Sequence, residues 1–128
     1  MKFWRCIGHY NGEAQTYEDI AGTFQASPYT PDISGRLVGI RLICAPEAAT
    51  SLVENYLIRL TCTTFKPNEI QVGGCGNGLA TVPSIPAPVF DYEIDQEVHA
   101  GVPIYIQGRH AVATAVTANV LIMGLFTC

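Results

Sequence analysis

The sequence predicts an all-β, antiparallel β-sandwich in a single domain spanning residues 1–128. Three observations carry this. Apolar residues recur at period two in several short segments. Glycine and proline cluster between those segments. No stretch shows the 3.6-residue period of a long amphipathic helix. The chain also has no internal repeat and no low-complexity tract.

The elements follow in chain order. KFWRCIGHY (Lys2–Tyr10) is compatible with a strand. GEAQTYEDIAGTF has weak helical or strand character, and SPYTPDISG is loop, with Pro28 and Pro31. RLVGIRLICA (Arg36–Ala45) reads as a strand with Val38, Ile40, Leu42 and Cys44 on one fully apolar face. Leu37, Gly39, Arg41 and Ile43 fall on the other. APEAATSLVEN is long enough for a turn of helix or a broad loop. YLIRLTCTTF (Tyr56–Phe65) is a second strand, with Tyr56, Ile58, Leu60 and Cys62 inward and Leu57, Arg59, Thr61 and Thr63 outward. Whether these two strands pair is left open.

EIQVGGCGNGL (Glu69–Leu79) predicts a short strand entering a glycine turn, with Asn77-Gly78 supplying positive φ. VPSIPAPVF, with Pro83, Pro86 and Pro88, predicts an extended connector. Val102–Ile106 is a strand, and Gly108–Ala113 its connection to a long last strand, Thr114–Phe126. On that strand Val120, Ile122, Gly124 and Phe126 line one face and Leu121, Met123 and Leu125 the other. Both faces are apolar, so both should be covered.

Composition narrows the roles. The chain is 48% hydrophobic and 14% charged, against about 25% charged in ordinary soluble domains. So little charge implies that part of the exterior is covered in an assembly. The net charge is −4, and the seven basic residues are scattered. Nucleic-acid binding needs a basic stripe, so no direct nucleic-acid partner is expected. No secretory signal is expected, because no apolar core of the required length follows Met1. Ala111–Phe126 is shorter than the ~20 residues of a spanning helix, and no membrane span is expected. Cys6, Cys44, Cys62, Cys75 and Cys128 are odd in number without C-x-x-C spacing, which predicts free thiols. Cys44 and Cys62 read as core thiols, able to bridge only if their strands are neighbours.

Candidate chemistry is sparse. His9, His99 and His110 fit no metal-ligand motif, and Asp95, Glu97 and His99 read as one solvated strand face. Cys75 sits in the glycine segment without an assignable base, so a tight surface turn is expected there rather than catalysis. GGCGNG lacks the lysine of a phosphate loop. No catalytic residue, cofactor or metal is therefore expected. The acidic run Asp91, Glu93, Asp95 and Glu97 predicts a charged sheet edge, or a contact with an arginine of a neighbouring subunit.

The closing pattern VHAGVPIYIQGRHAVATAVTANVLIMGLF resembles the last strands of single jelly-roll domains in viral capsid and virion decoration proteins. Trimeric fibre heads end in much the same way. The resemblance covers roughly the last third of the chain, with Gly35–Phe65 as earlier strands. It implies a jelly roll of about eight strands. It also implies a non-enzymatic, self-assembling shell or virion-surface subunit. Its partners would be copies of itself and other virion proteins, in a virion assembled in the host cytoplasm. The chain departs from capsid proteins that carry a basic N-terminal arm, so the resemblance does not extend to genome contact. The expected subunit interface comprises Leu121, Met123 and Leu125, with Asp95 and Glu97. The alternative is a small carbohydrate- or ligand-binding sandwich using Trp4, Tyr10, Tyr17, Tyr29 and Tyr92. A third reading is a small enzyme using Cys75 or His99.

Overall fold

The period-two segments become strands because alternation lets one face of each bury while the other meets solvent. The structure is a computed structural model that describes residues 1–10, 16–19, 28–44, 53–79, 89–110 and 120–128. Among these residues there are eight strands and no helix. They are β1 (Lys2–Tyr10), β2 (Glu18–Asp19), β3 (Gly35–Cys44), β4 (Val53–Thr61), β5 (Glu69–Leu79), β6 (Val89–Val98), β7 (Tyr105–His110) and β8 (Val120–Thr127).

Two four-stranded sheets form, in the orders β1-β8-β3-β6 and β2-β7-β4-β5. All pairings are antiparallel. Apart from β4 and β5, sequence neighbours do not pair, because the chain keeps crossing between the sheets. This is the jelly-roll arrangement. It places β8 at the centre of the first sheet, between β1 and β3, and β6 at its edge. No helix among the described residues is long and apolar enough to cross a membrane.

The core lies between the sheets. Ile7, Leu37, Ile40, Leu42, Val120 and Ile122 come from the first sheet, and Tyr56, Ile58, Leu60 and Ile106 from the second. Each such side chain contributes about 1.5–3 kcal/mol on burial. Phe3 stacks on Phe126 at 5.8 Å between ring centroids, and Tyr10 meets Tyr56 edge-on at 6.4 Å. Gly108 lets the second sheet close on Tyr10, since a Cβ there would lie 2.8 Å from the tyrosine ring.

Three expectations change, and one open point closes. First, β3 carries a bulge between Leu37 and Gly39, which inserts Val38 against β8. The bulge switches the phase: Leu37 is buried with Ile40 and Leu42, while Val38 is only half-buried. Second, the glycine cluster is not a turn. β5 continues through it to Leu79, because β4 supplies a ladder partner throughout, with register breaks at two places. Positive φ occurs at Gly73 (147°). A Cβ at Gly73 would strike the Tyr92 ring, whose hydroxyl donates to the Gly74 carbonyl. Third, Gly108–His110 belong to β7 rather than to a connection. His110 is fully buried, 4.6 Å edge-on to Tyr56. The open point concerns pairing: β3 and β4 lie in opposite sheets and do not pair. Cys62 is a buried free thiol, 3.2 Å from Thr64 Oγ1. Of the predicted connector VPSIPAPVF (82–90), residues 82–88 lie outside the described residues, while Val89 and Phe90 open β6; residues 111–119, with the first part of the predicted last strand, also lie outside them.

Candidate functional site

The outer face of the first sheet is built by register. Trp4 pairs with Leu125, Leu125 with Gly39, and Gly39 with Glu93, so these four form one row across the sheet. The next row is Cys6, Met123, Arg41 and Asp91, and the next is His9, Leu121, Ile43 and Val89. Down the middle run Leu121, Met123 and Leu125, all half-buried, while their neighbours Val120, Ile122 and Phe126 fill the core. The strict alternation of β8 makes this stripe, and its central position flanks it with Trp4, Cys6 and His9 on one side and Gly39, Arg41 and Ile43 on the other. Trp4 stands beside it at 39% exposed and Val89 at the sheet edge at 51%.

Charge on this face is arranged around the stripe. Arg41 grips Asp91 bidentately, Nε donating to Oδ1 at 2.7 Å and Nη2 to Oδ2 at 3.0 Å. The same guanidinium lies 4.4 Å from the centroid of the Trp4 ring. Its hydrogen bonds hold the Asp91 carboxyl below the ordinary carboxylate value and raise Arg41 above its own. Arg36 Nε donates to Asp95 Oδ1 at 2.5 Å, and this hydrogen bond raises the Arg36 value. Between Trp4 and the acidic strand lies an open groove of about 590 Å³, floored by Gly39, Val38 and Leu125.

The outer face of the second sheet differs. Arg59 donates to Gln107 Oε1 at 2.6 Å, and its Nη1 lies 2.7 Å from Glu69 Oε1. Tyr17 lies under both Arg59 and Arg109, at 4.0 and 5.3 Å, and donates to Gln71 Oε1 at 2.5 Å. Polar side chains here satisfy one another.

The expected interface residues fall in two groups. Leu121, Met123 and Leu125 share one column of the first sheet's outer face. Asp95 and Glu97 lie on the exposed side of edge strand β6, as an acidic edge requires. Asp95 takes its arginine from Arg36 of the same chain, and Glu97 Oε1 lies 3.3 Å from His99 Nε2. The five aromatics considered for a sugar platform do not converge: Tyr10 and Tyr29 are buried in the core, and Tyr17 is on the opposite sheet. Cys75 has its backbone paired with Tyr56 inside β5. Among the described residues no three His, Cys, Asp or Glu side chains gather where a metal ion would sit. The sequence reading named Trp4 only as a sugar-platform aromatic and did not single out Arg41; both join this face only once β1 and β3 are known to flank β8.

No protein-family model matches the chain, and no curated protein sequence matches it. Solved structures do share its outline. One is the CBM36-1 domain of a multidomain xylanase from the hindgut metagenome of Trinervitermes trinervoides. It is 12% identical, with a TM-score of 0.47, over 100% of this chain and 98% of that one. Another is infectious bursal disease virus, Gx strain: 10% identity, TM-score 0.44, 98% of this chain and 32% of that one. A third is the T13 particle of the same virus, at 10% identity and TM-score 0.48, covering 98% and 30%. This chain therefore spans about a third of those viral chains. The jelly-roll assignment itself rests on the strand order.

Proposed function

We propose that this chain is a structural, self-assembling jelly-roll subunit, non-enzymatic, serving in a viral capsid or on a virion surface. One observation supports it above the rest: the stripe Leu121–Met123–Leu125, flanked by Trp4, lies on an outer sheet face, only half-buried. Apolar surface of this kind is stabilised by contact with another molecule. The low charge content points the same way. The virion assignment draws on the likeness of the closing strands to jelly-roll shell proteins. Partners are copies of the chain and other virion proteins.

The test is the mass of the purified protein by light scattering, with negative-stain images of the same sample. Shells, rings or defined oligomers support the reading; a stable monomer at all concentrations contradicts it. The rival carbohydrate-binding reading rests on the groove beside Trp4. It lacks a converged aromatic platform among the described residues, and glycan binding by a monomer is what would favour it.

A further inference from the structure

We infer that the outer face of the first sheet carries a site for one monovalent copper ion, held by Cys6, His9 and Met123. The site goes beyond the assembly reading and does not depend on it.

Register brings the three together. Cys6 and His9 are three residues apart, and in a regular strand such residues point to opposite faces. β1 is not regular there. Its ladder with β8 breaks between Cys6 and Gly8, which leaves Ile7 as an extra residue. Cys6 then pairs with Met123 and His9 with Leu121, and both partners belong to the outer stripe of β8. Ile7 and Gly8 are buried, while Cys6, His9 and Met123 are half-buried. The bulge therefore puts a thiol and an imidazole on one side of β1. Met123 adds a thioether from the next strand, directly opposite Cys6. Opposed Cβ atoms in such a pair stand about 4.5–5.5 Å apart. The unbranched methionine side chain can close that span. Cys6 Sγ lies 3.8 Å from the Gly8 carbonyl oxygen, so the thiol leans along β1 in the direction of His9.

Ligand chemistry selects the ion. A thiolate, a thioether and one imidazole nitrogen form a soft set, and soft sulfur ligands select Cu(I). A harder divalent ion would need carboxylates or further thiolates. Among the described residues no three His, Cys, Asp or Glu side chains gather to supply them. Asp91, at the far end of the Cys6 row, is held by Arg41. Binding releases the Cys6 thiol proton to solvent, so Cu(I) and thiolate together are neutral. A neutral complex suits a place beside an apolar stripe. The second imidazole nitrogen stays available for the hydrogen bond that orients a ligating histidine. Copper held this way clips the edge strand β1 to the central strand β8.

The experiment titrates the reduced, full-length chain with Cu(I) in the absence of oxygen, against a chromogenic Cu(I) chelator. Beside it stand Cys6→Ser, His9→Gln, Met123→Leu and the outlying Cys128→Ser, with circular dichroism melts to confirm folding. Met123→Leu conserves volume and keeps every thiol, so it tests the site even where Cys6→Ser folds poorly. The unchanged chain and Cys128→Ser should each bind one equivalent. Met123→Leu and His9→Gln should bind about tenfold more weakly or worse, and Cys6→Ser should lose the competition to the chelator. X-ray absorption of the copper form should show two sulfurs and one nitrogen. Met123→Leu and His9→Gln that bind like the unchanged chain, or copper surrounded by sulfur alone, overturn the site and assign the copper to thiols elsewhere. A chain that binds no Cu(I) overturns it too. Each of these results leaves the assembly reading standing, which the solution mass of the metal-free chain tests separately.

Discussion

The two outer faces of the sandwich are made from the same kind of strand, yet they finish differently. On the second sheet, Arg59, Arg109, Tyr17, Gln71, Gln107 and Glu69 interlock, so the outward polar groups are satisfied within the chain. On the first sheet the ion pairs stand beside or beyond the centre, and the central strand presents Leu121, Met123 and Leu125. A face whose groups satisfy one another gains little from a partner. A face with an apolar middle and charges at its rims gains both burial and alignment. On the proposed assembly, this difference makes the first sheet the contact face and leaves the second to solvent.

The largest effect should come from what both faces share. Ile58→Ala and Ile122→Ala each empty a fully buried position, one per sheet. Each should cost about 2–5 kcal/mol in chemical denaturation. Equal losses would show that the sheets are equal in the core and differ only outside.

The second effect separates the faces. Leu121→Asp or Met123→Asp places a charge in the apolar stripe, forfeiting about 1.5–3 kcal/mol of burial per side chain in the contact. Association should fall steeply by light scattering while the monomer keeps its β-sheet dichroism. Arg59→Ala on the second sheet should do the opposite. It should leave the assembly unchanged while costing the monomer about 1.5–3 kcal/mol, because the half-buried guanidinium gives up its bond to Gln107 together with Glu69 and Tyr17. Lost assembly in Arg59→Ala would break the comparison.

The smallest effect is acid sensitivity at the Arg41–Asp91 pair. The folded-state value of Asp91 lies below its ordinary 3.8. The pair's contribution is therefore complete above the unfolded value, and it is lost as pH falls below 3.8 through the depressed folded value. Asp91→Asn should flatten that part of the acid-melting profile. An unchanged slope in Asp91→Asn would remove the pair from the account.

Much of this was legible in the sequence, for physical reasons that differ by element. The alternation of β8 reads directly, because Val120, Ile122 and Phe126 share one parity and Leu121, Met123 and Leu125 the other. The inward face of β4 reads equally well, with Tyr56, Ile58 and Leu60 buried, although the strand runs Val53–Thr61 and stops short of the predicted Phe65. β3 misleads, since Leu37 and Val38 are both apolar and no local signal reveals the bulge that buries the first. The glycine segment looks like a turn because its strand character comes from pairing with β4, a long-range contact. The same holds for the site. The apolar stripe lies within one strand and can be read there. Trp4 over Arg41, and Asp95 on Arg36, depend on which strands are neighbours, which local pattern does not carry.

The most direct measurement is the solution mass of the unchanged chain beside Leu121→Asp, by light scattering at matched concentrations, with a thermal melt of each. The account predicts a defined assembly for the unchanged chain and a folded monomer for the variant. A Leu121→Asp protein that is fully assembled and equally stable would contradict it.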